Sequence, residues 1–203
     1  YNNGGDLTLT NVDIVQSEVF GFKQASGSAS ITSSVVHNNG SDGAKLEGGS
    51  LSVSNSTIYS NTYLGVNASG SGSLTLTGNS FYDNPNGAVY VSVSNGITFT
   101  HSSNSASGNG KRGIIMQGTL TTDQTWTADN IPYVVAGITV NSGKTLTVNS
   151  GAIMKFESTS AGFTVTGTLA AQGTTGSKIY FTSLKDDNVG GDTNADGSTT
   201  SPA

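Results

Sequence analysis

The densest set of side chains able to hold an ion or move a proton is the segment KDDNVGGDTNADG at residues 185–197. Asp192, Asn194 and Asp196 alternate, and Gly197 follows them. That spacing matches the first half of a calcium loop of the EF-hand kind, in which hard oxygens converge on the ion and a glycine permits the turn. The second half does not match: its twelfth position is Ala203, so the bidentate glutamate is missing and further ligands would come from Asp186 and Asp187. Two readings stay open here. One is a structural calcium site on Asp186, Asp187, Asp192, Asn194 and Asp196, and the other is a solvated polar turn.

Acid–base chemistry has less to work with. A lyase acting on an acidic polysaccharide needs a lysine or arginine base beside carboxylates, and a glycosidase needs paired Asp or Glu. Lys45 and Glu47 alternate on one strand, and Lys111 and Arg112 are adjacent, but neither pair neighbours a carboxylate cluster. Asp13, Asp42 and Asp83 fall at unrelated positions of the repeat described below. So do His37 and His101, which read as surface histidines rather than a metal pair. No catalytic residue is assigned.

Hydroxyls are more regular. Thr8, Ser30, Ser52, Thr75 and Thr98 form one column and Thr10, Thr32, Ser54, Thr77 and Thr100 a second. This outward array resembles the face of ice-binding β-solenoids, and it would equally dock a filament or a sugar. The plainer reading is an exposed sheet built from soluble residues of β preference.

What positions these groups is a repeat of 22 to 23 residues between Leu7 and Phe99. Fixed-period self-similarity of this length marks a solenoid. The first strand of each unit alternates, placing Leu7, Ala29, Leu51, Leu74 and Ile97 in one inward column and Leu9, Ile31, Val53, Leu76 and Phe99 in the next. Ile14, Val36, Ile58 and Phe81 form a third column, which Asn104 interrupts. A short third strand follows Gly21, Gly43, Gly65, Gly87 and Gly113, where a positive-φ bend is expected. Three strands and three bends per coil, stacked to share one core, describe a parallel β-helix. Asn39, Asn61 and Asn84, flanked by Ser17 and Ser107, are expected to stack as an amide ladder. Asn39, Asn55 and Asn67 also begin Asn-x-Ser/Thr sequons, which so Ser- and Asn-rich a repeat produces by chance.

Composition agrees with a narrow core. Only 10% of residues are charged and 33% hydrophobic, there is no cysteine, and the net charge is −5. So few basic residues argue against nucleic acid and anionic lipid as partners, and no apolar run is long enough to insert in a membrane. Tyr1 is not an initiator, so the chain reads as a processed product or an excerpt of something longer.

After Gly118 the period fails. Residues 119–203 read as a second β-helical segment beside the repetitive coils of 1–118, and Trp126, Ile131, Tyr133 and Val135 read as a buried anchor suited to plugging a core end. The stretches YVVAGITVNSGKTLTVNSGAIMKF, GTLAAQGTTGSKIYFTSLKDD and GGDTNADG resemble the opening coils of right-handed parallel β-helix proteins that bacteria secrete, in the pectate-lyase-like superfamily. NSTIYSN and the Gly-Val elements of the first part resemble that family's later coils. The resemblance implies an all-β, right-handed parallel β-helix with an extracellular or cell-surface bacterial location. The order of the two kinds of coil is reversed relative to the family, which points to one link of a tandem array or a head-to-tail polymer. The expected function is a structural or adhesive module that self-associates end to end, with carbohydrate as a further partner. A polysaccharide lyase or glycoside hydrolase and an ice-binding solenoid are the alternatives, since one scaffold carries many activities.

Overall fold

A computed structural model describes residues 1–197 and 199–202. It is an all-β solenoid of about eight turns. In the lower coils each turn has three faces. The first face stacks Asn2–Thr10, the end of Phe22–Thr32, Ser50–Ser54, Ser73–Thr77 and Thr98–Ser102, all parallel. The second stacks Asp13–Val15, Val35–His37, Thr57–Tyr59, Ser80–Tyr82 and Ser105–Ser107. The third runs from Phe22 through Ala44–Leu46, Leu64–Ala68, Gly87–Ser92 and Ile114–Thr119 to Tyr133–Val140, Ile153–Phe156 and Tyr180–Ser183. Pairing of Ile114–Thr119 with Tyr133–Val140 carries the stack across residue 119.

Alternation puts one side of every strand inside. Ile31, Leu51, Ile58, Leu74, Leu76 and Phe81 are all at or below 1% exposure, and each such side chain contributes roughly 1.5–3 kcal/mol by leaving water. The register departs from the expected columns in the fifth coil. Phe99, not Ile97, stands over Leu74, and His101 stands over Leu76. Two extra residues in the turn at Val93–Asn95 cause the shift. Because the strand period is two, a two-residue shift keeps the same side facing inward.

Length variation collects at one corner. The path from the first-face column to the third-face column is fifteen residues in four successive coils: Ala29 to Ala44, Leu51 to Val66, Leu74 to Val89 and Phe99 to Ile114. The return from third face to first is five residues from Gln24 to Ala29 and from Leu46 to Leu51, then six from Ala68 to Leu74 and eight from Val91 to Phe99. Above residue 119 the second sheet has ended, and the outgoing path drops to nine residues from Gln124 to Tyr133 and eight from Leu146 to Met154. The coil therefore loses a side there while its third-face ladder continues.

The bends differ from expectation as well. Of the five glycines Gly87 has positive φ and Gly21, Gly43, Gly65 and Gly113 do not; left-handed residues stand instead at Ser33, Asn55, Gly78 and Ser103 at one corner and at Asn38, Ser60, Asp83 and Gly108 at the next. The column of Gly21 and Gly43 is glycine for room. A Cβ on Gly21 would come within 2.6 Å of Asn39 Nδ2, and one on Gly43 within 2.7 Å of Asn61 Nδ2.

Trp126 is buried among coils that continue above it, packed on Tyr133 at 5.0 Å between ring centroids, so it anchors the middle of the rod and does not plug an end.

Candidate functional site

At the corners of Ser33 and Asn38 each of the eight left-handed residues delivers the next side chain into the core, and that side chain is polar. Asn39 Nδ2 donates to Asn61 Oδ1 at 2.8 Å, Asn61 Nδ2 to Asn84 Oδ1 at 3.1 Å, and Asn84 Nδ2 to Asn109 Oδ1 at 2.9 Å. The backbone N–H of each upstream residue donates to the same oxygen, starting from Ser17 N–H to Asn39 Oδ1. All four amides are fully buried. The ladder thus ends at Asn109 and not at Ser107, which lies on the second face opposite Tyr82. The longer fifth coil moves the position by two. Asn39 is fully buried here, although it begins a sequon.

A second ladder lies at the corner between the first and second faces. Ser34 Oγ accepts from Val12 N–H, Ser56 Oγ from Ser34 N–H, Asn79 Oδ1 from Ser56 N–H, and Asn104 Oδ1 from Asn79 N–H and Nδ2. Asp129 closes it, accepting from Asn104 N–H and Nδ2 and bonding His101 Nδ1 at 2.9 Å. The His101 and Asp129 side chains are 2% and 1% exposed. His101 is therefore a core residue and not the surface histidine its repeat position suggested, for it occupies an inward column. Its Nε2 contacts Tyr133 Oη, which donates to Thr127 O at 2.9 Å. Burial pushes the Asp129 carboxyl up, but bonds from His101 and Asn104 outweigh it and hold the group below its ordinary value. Burial pushes the Tyr133 phenol up. Closed off from solvent, this constellation fixes the core. His37, by contrast, lies outside, paired with Asp13 at 3.0 Å and stacked on Tyr59, which stacks on Tyr82.

On the first face the hydroxyls bond across coils, as Thr32 Oγ1 with Ser54 Oγ at 3.1 Å and Thr75 Oγ1 with Thr100 Oγ1 at 3.1 Å. Thr8 and Thr10 begin two columns as read from the sequence, but Thr98 stands beside Ser73 and Thr100 beside Thr75, with Ser102 beside Thr77. The two-residue shift again moves them one place.

The acidic loop folds back over the outside of the third face. Asp187, Asp192 and Asp196 bring oxygens within 4.8 Å of one another, while Asp186 stands apart, accepting from Thr182 Oγ1 and Asn188 N–H. Asn194 turns its Nδ2 toward Asp196 Oδ2 at 2.7 Å. Asp192 Oδ2 accepts from Arg112 Nη1 at 2.9 Å and from Gly197 N–H, and Asp192 Oδ1 accepts from Asp196 N–H. Lys155, fully buried, donates its ammonium to Asp186 O at 2.7 Å and Gly191 O at 2.6 Å. Burial pushes that ammonium's pKa down, against the pull of Asp186, Asp187 and Asp192. Two protein cations, Arg112 and Lys155, already hold the loop. Asp187 Oδ1 and Asn194 Oδ1 have no partner, yet an ion between the three carboxylates would compete with Arg112 for Asp192. Ala203, the twelfth position of the calcium motif, lies outside the described residues.

Where the loop stops covering the third face, an open groove of about 440 Å³ begins. Tyr63, Asn67, Asn86, Tyr90 and Gln117 line it, with Lys111 and Glu157 paired at one end. Tyr90 Oη donates to Gln117 Oε1 at 3.2 Å. Residues so far apart in sequence meet only because coils stack, so no local motif announces them.

A family model described as a right handed beta helix region matches residues 20–175. The chain belongs to this right-handed β-helix family. The match crosses residue 119, so lower and upper coils fall in one family region, and it stops short of the acidic loop. Right-handed β-helices include both enzymes and non-enzymes, so membership does not by itself choose an activity. No curated protein and no solved structure gives a significant match.

Proposed function

We propose that this β-helix is an extracellular module of a bacterial surface, structural or adhesive in kind, that stacks end to end into a longer rod. One observation carries the reading: both end coils leave the core cross-section uncovered. At the upper end Val165 and Phe181, which face inward in register with Val140 and Met154, are 41% and 44% exposed. At the lower end the inward residues Leu7, Leu9 and Ile14 are only partly covered. The residues in register with them on the next coil inward, Val140 and Met154 above and Ala29, Ile31 and Val36 below, are at most 5% exposed. An uncovered apolar end with a free strand edge is a template for further coils, and such a head-to-tail contact grows without closing. The secreted character rests on the sequence resemblance to secreted β-helix proteins.

The lyase alternative has no comparable support, since Lys111 is paired with Glu157 and Arg112 with Asp192. Sedimentation across a wide concentration range tests the proposal. Reversible association that Phe181→Asp abolishes, with the melting curve retained, is expected. A chain that stays monomeric at high micromolar concentration would overturn it.

A further inference from the structure

The outer third face carries chemistry that a bare rod does not need. Its outward column runs Lys45, Asn67, Tyr90, Ile115, Val134 and Lys155. The C-terminal loop seals the upper part, where Ile115 and Val134 are buried with Leu64 and Leu184 in a small apolar cluster outside the coil. The groove opens directly beside that seal.

Three features of the groove point to one ligand class. Tyr63 is 53% exposed, a large aromatic side chain left open beside an apolar floor of Leu64, Ile115 and Ala136. Around it stand the amides of Asn67, Asn86 and Gln117, donors and acceptors at once. Asn67 Nδ2 is held by Asp42 Oδ2 at 2.9 Å, which leaves Asn67 Oδ1 buried without a protein donor. A buried acceptor in that state calls for a hydroxyl or a water. Finally, the groove's two charges neutralise each other, Lys111 against Glu157. No surplus cation awaits an acidic sugar.

We infer that this groove binds a neutral oligosaccharide, one pyranose ring lying against Tyr63 with its hydroxyls bonded by Asn67, Asn86 and Gln117. A pyranose has an apolar C–H face and a rim of hydroxyls, which is the complement of an amphipathic aromatic surrounded by amides. The volume falls within the range of small-ligand sites. An open cleft that buries a sugar on one side only gives weak binding, because much of the contact energy offsets lost ligand freedom. The groove gives the adhesive half of the proposed function its ligand, and it lies on the side of the rod, away from the stacking ends.

The test titrates cellotetraose, maltotetraose and trigalacturonate separately into the ¹⁵N-labelled chain carrying Phe181→Asp and follows amide shifts, so that failure of binding and failure of stacking are read independently. One neutral tetrasaccharide is expected to shift Asn67, Asn86 and Gln117, with affinity falling at least tenfold in Tyr63→Ala and unchanged in Tyr82→Ala on the second face. Silence from both neutral sugars, binding of trigalacturonate alone, or equal binding by Tyr63→Ala would each overturn the inference.

Discussion

Asn104 Nδ2 donates to Asp129 Oδ2 at 3.0 Å, and this bond ends a chain of donors that starts at Val12 N–H. Every link runs the same way, each coil donating to its C-terminal neighbour. A carboxylate suits the last place because it accepts without having to donate onward. His101 then gives the anion a further partner.

Asn61 is the middle of the companion ladder. Asn61→Ala leaves Asn39 N–H without an acceptor, at about 1–3 kcal/mol for the orphaned group, and takes from Asn39 Nδ2 one of its two acceptors, the other being Ile14 O. Urea unfolding should show a midpoint well below the parent's; coincident curves would remove the ladder from the account of stability.

Acid should find Asp129. Its folded pKa is depressed, so its contribution is complete above the unfolded value of about 3.9 and disappears as pH falls through the folded value. Asp129→Asn should be less stable at neutral pH and have a shallower loss of stability in acid. Asp42 has the opposite sign: burial raises its folded pKa, so it takes up a proton as pH falls and gains stability. Melting curves of Asp42→Asn should therefore fall off more steeply with acid than the parent's, and parallel curves for all three chains would contradict both assignments.

Gly43 is held small by its surroundings. In Gly43→Ala the new Cβ meets Gly65 O and Asn61 Nδ2, both at 2.7 Å, and a loss of about 1–3 kcal/mol is expected, as for an overpacked core. Gly162→Ala is the control: nothing lies within 4 Å of its Cβ, and it should be neutral or slightly stabilising. Equal melting temperatures for the two variants would dismiss the steric argument.

The acidic loop should be indifferent to metal. With Arg112 and Lys155 already inside it, melting temperatures in EDTA and in calcium are expected to coincide. Lys155→Met should expose residues 185–197 to limited proteolysis while the coils persist. A rise of several degrees on adding calcium to the parent would place an ion among Asp187, Asp192 and Asp196.

Alternation and period made the inward columns legible in the sequence, because apolar side chains return every two residues along a strand and every coil along the rod. The misplaced columns in the fifth coil show where that reading fails. Ile97 and Phe99 are both apolar and two apart, so a two-residue insertion leaves no trace in the first two columns and shows only in the third, where Asn104 falls at the expected place and Ala106 stands over Phe81. The second ladder escaped notice because Ser34, Ser56, Asn79, Asn104 and Asp129 share an acceptor oxygen but not a residue type. His101 was misread for the same reason as Phe99. Arg112 and Asp192 are 80 residues apart and outside any period, so only the fold-back of the loop brings them together.

Two corners of the coil carry ladders and keep one length through four coils, while the third carries separate amide bonds and no continuous ladder, as from Asn2 Nδ2 to Gln24 Oε1 and from Asn95 Nδ2 to Ser69 O, and has grown from five residues to eight. The molecule is thus divided lengthwise into a spine that tolerates no insertion and a seam that does. Foreign peptide spliced into the seam, between Ser69 and Ser71 or within Val93–Asn95, would be displayed in single file along the rod, at a spacing set by the distance between stacked strands.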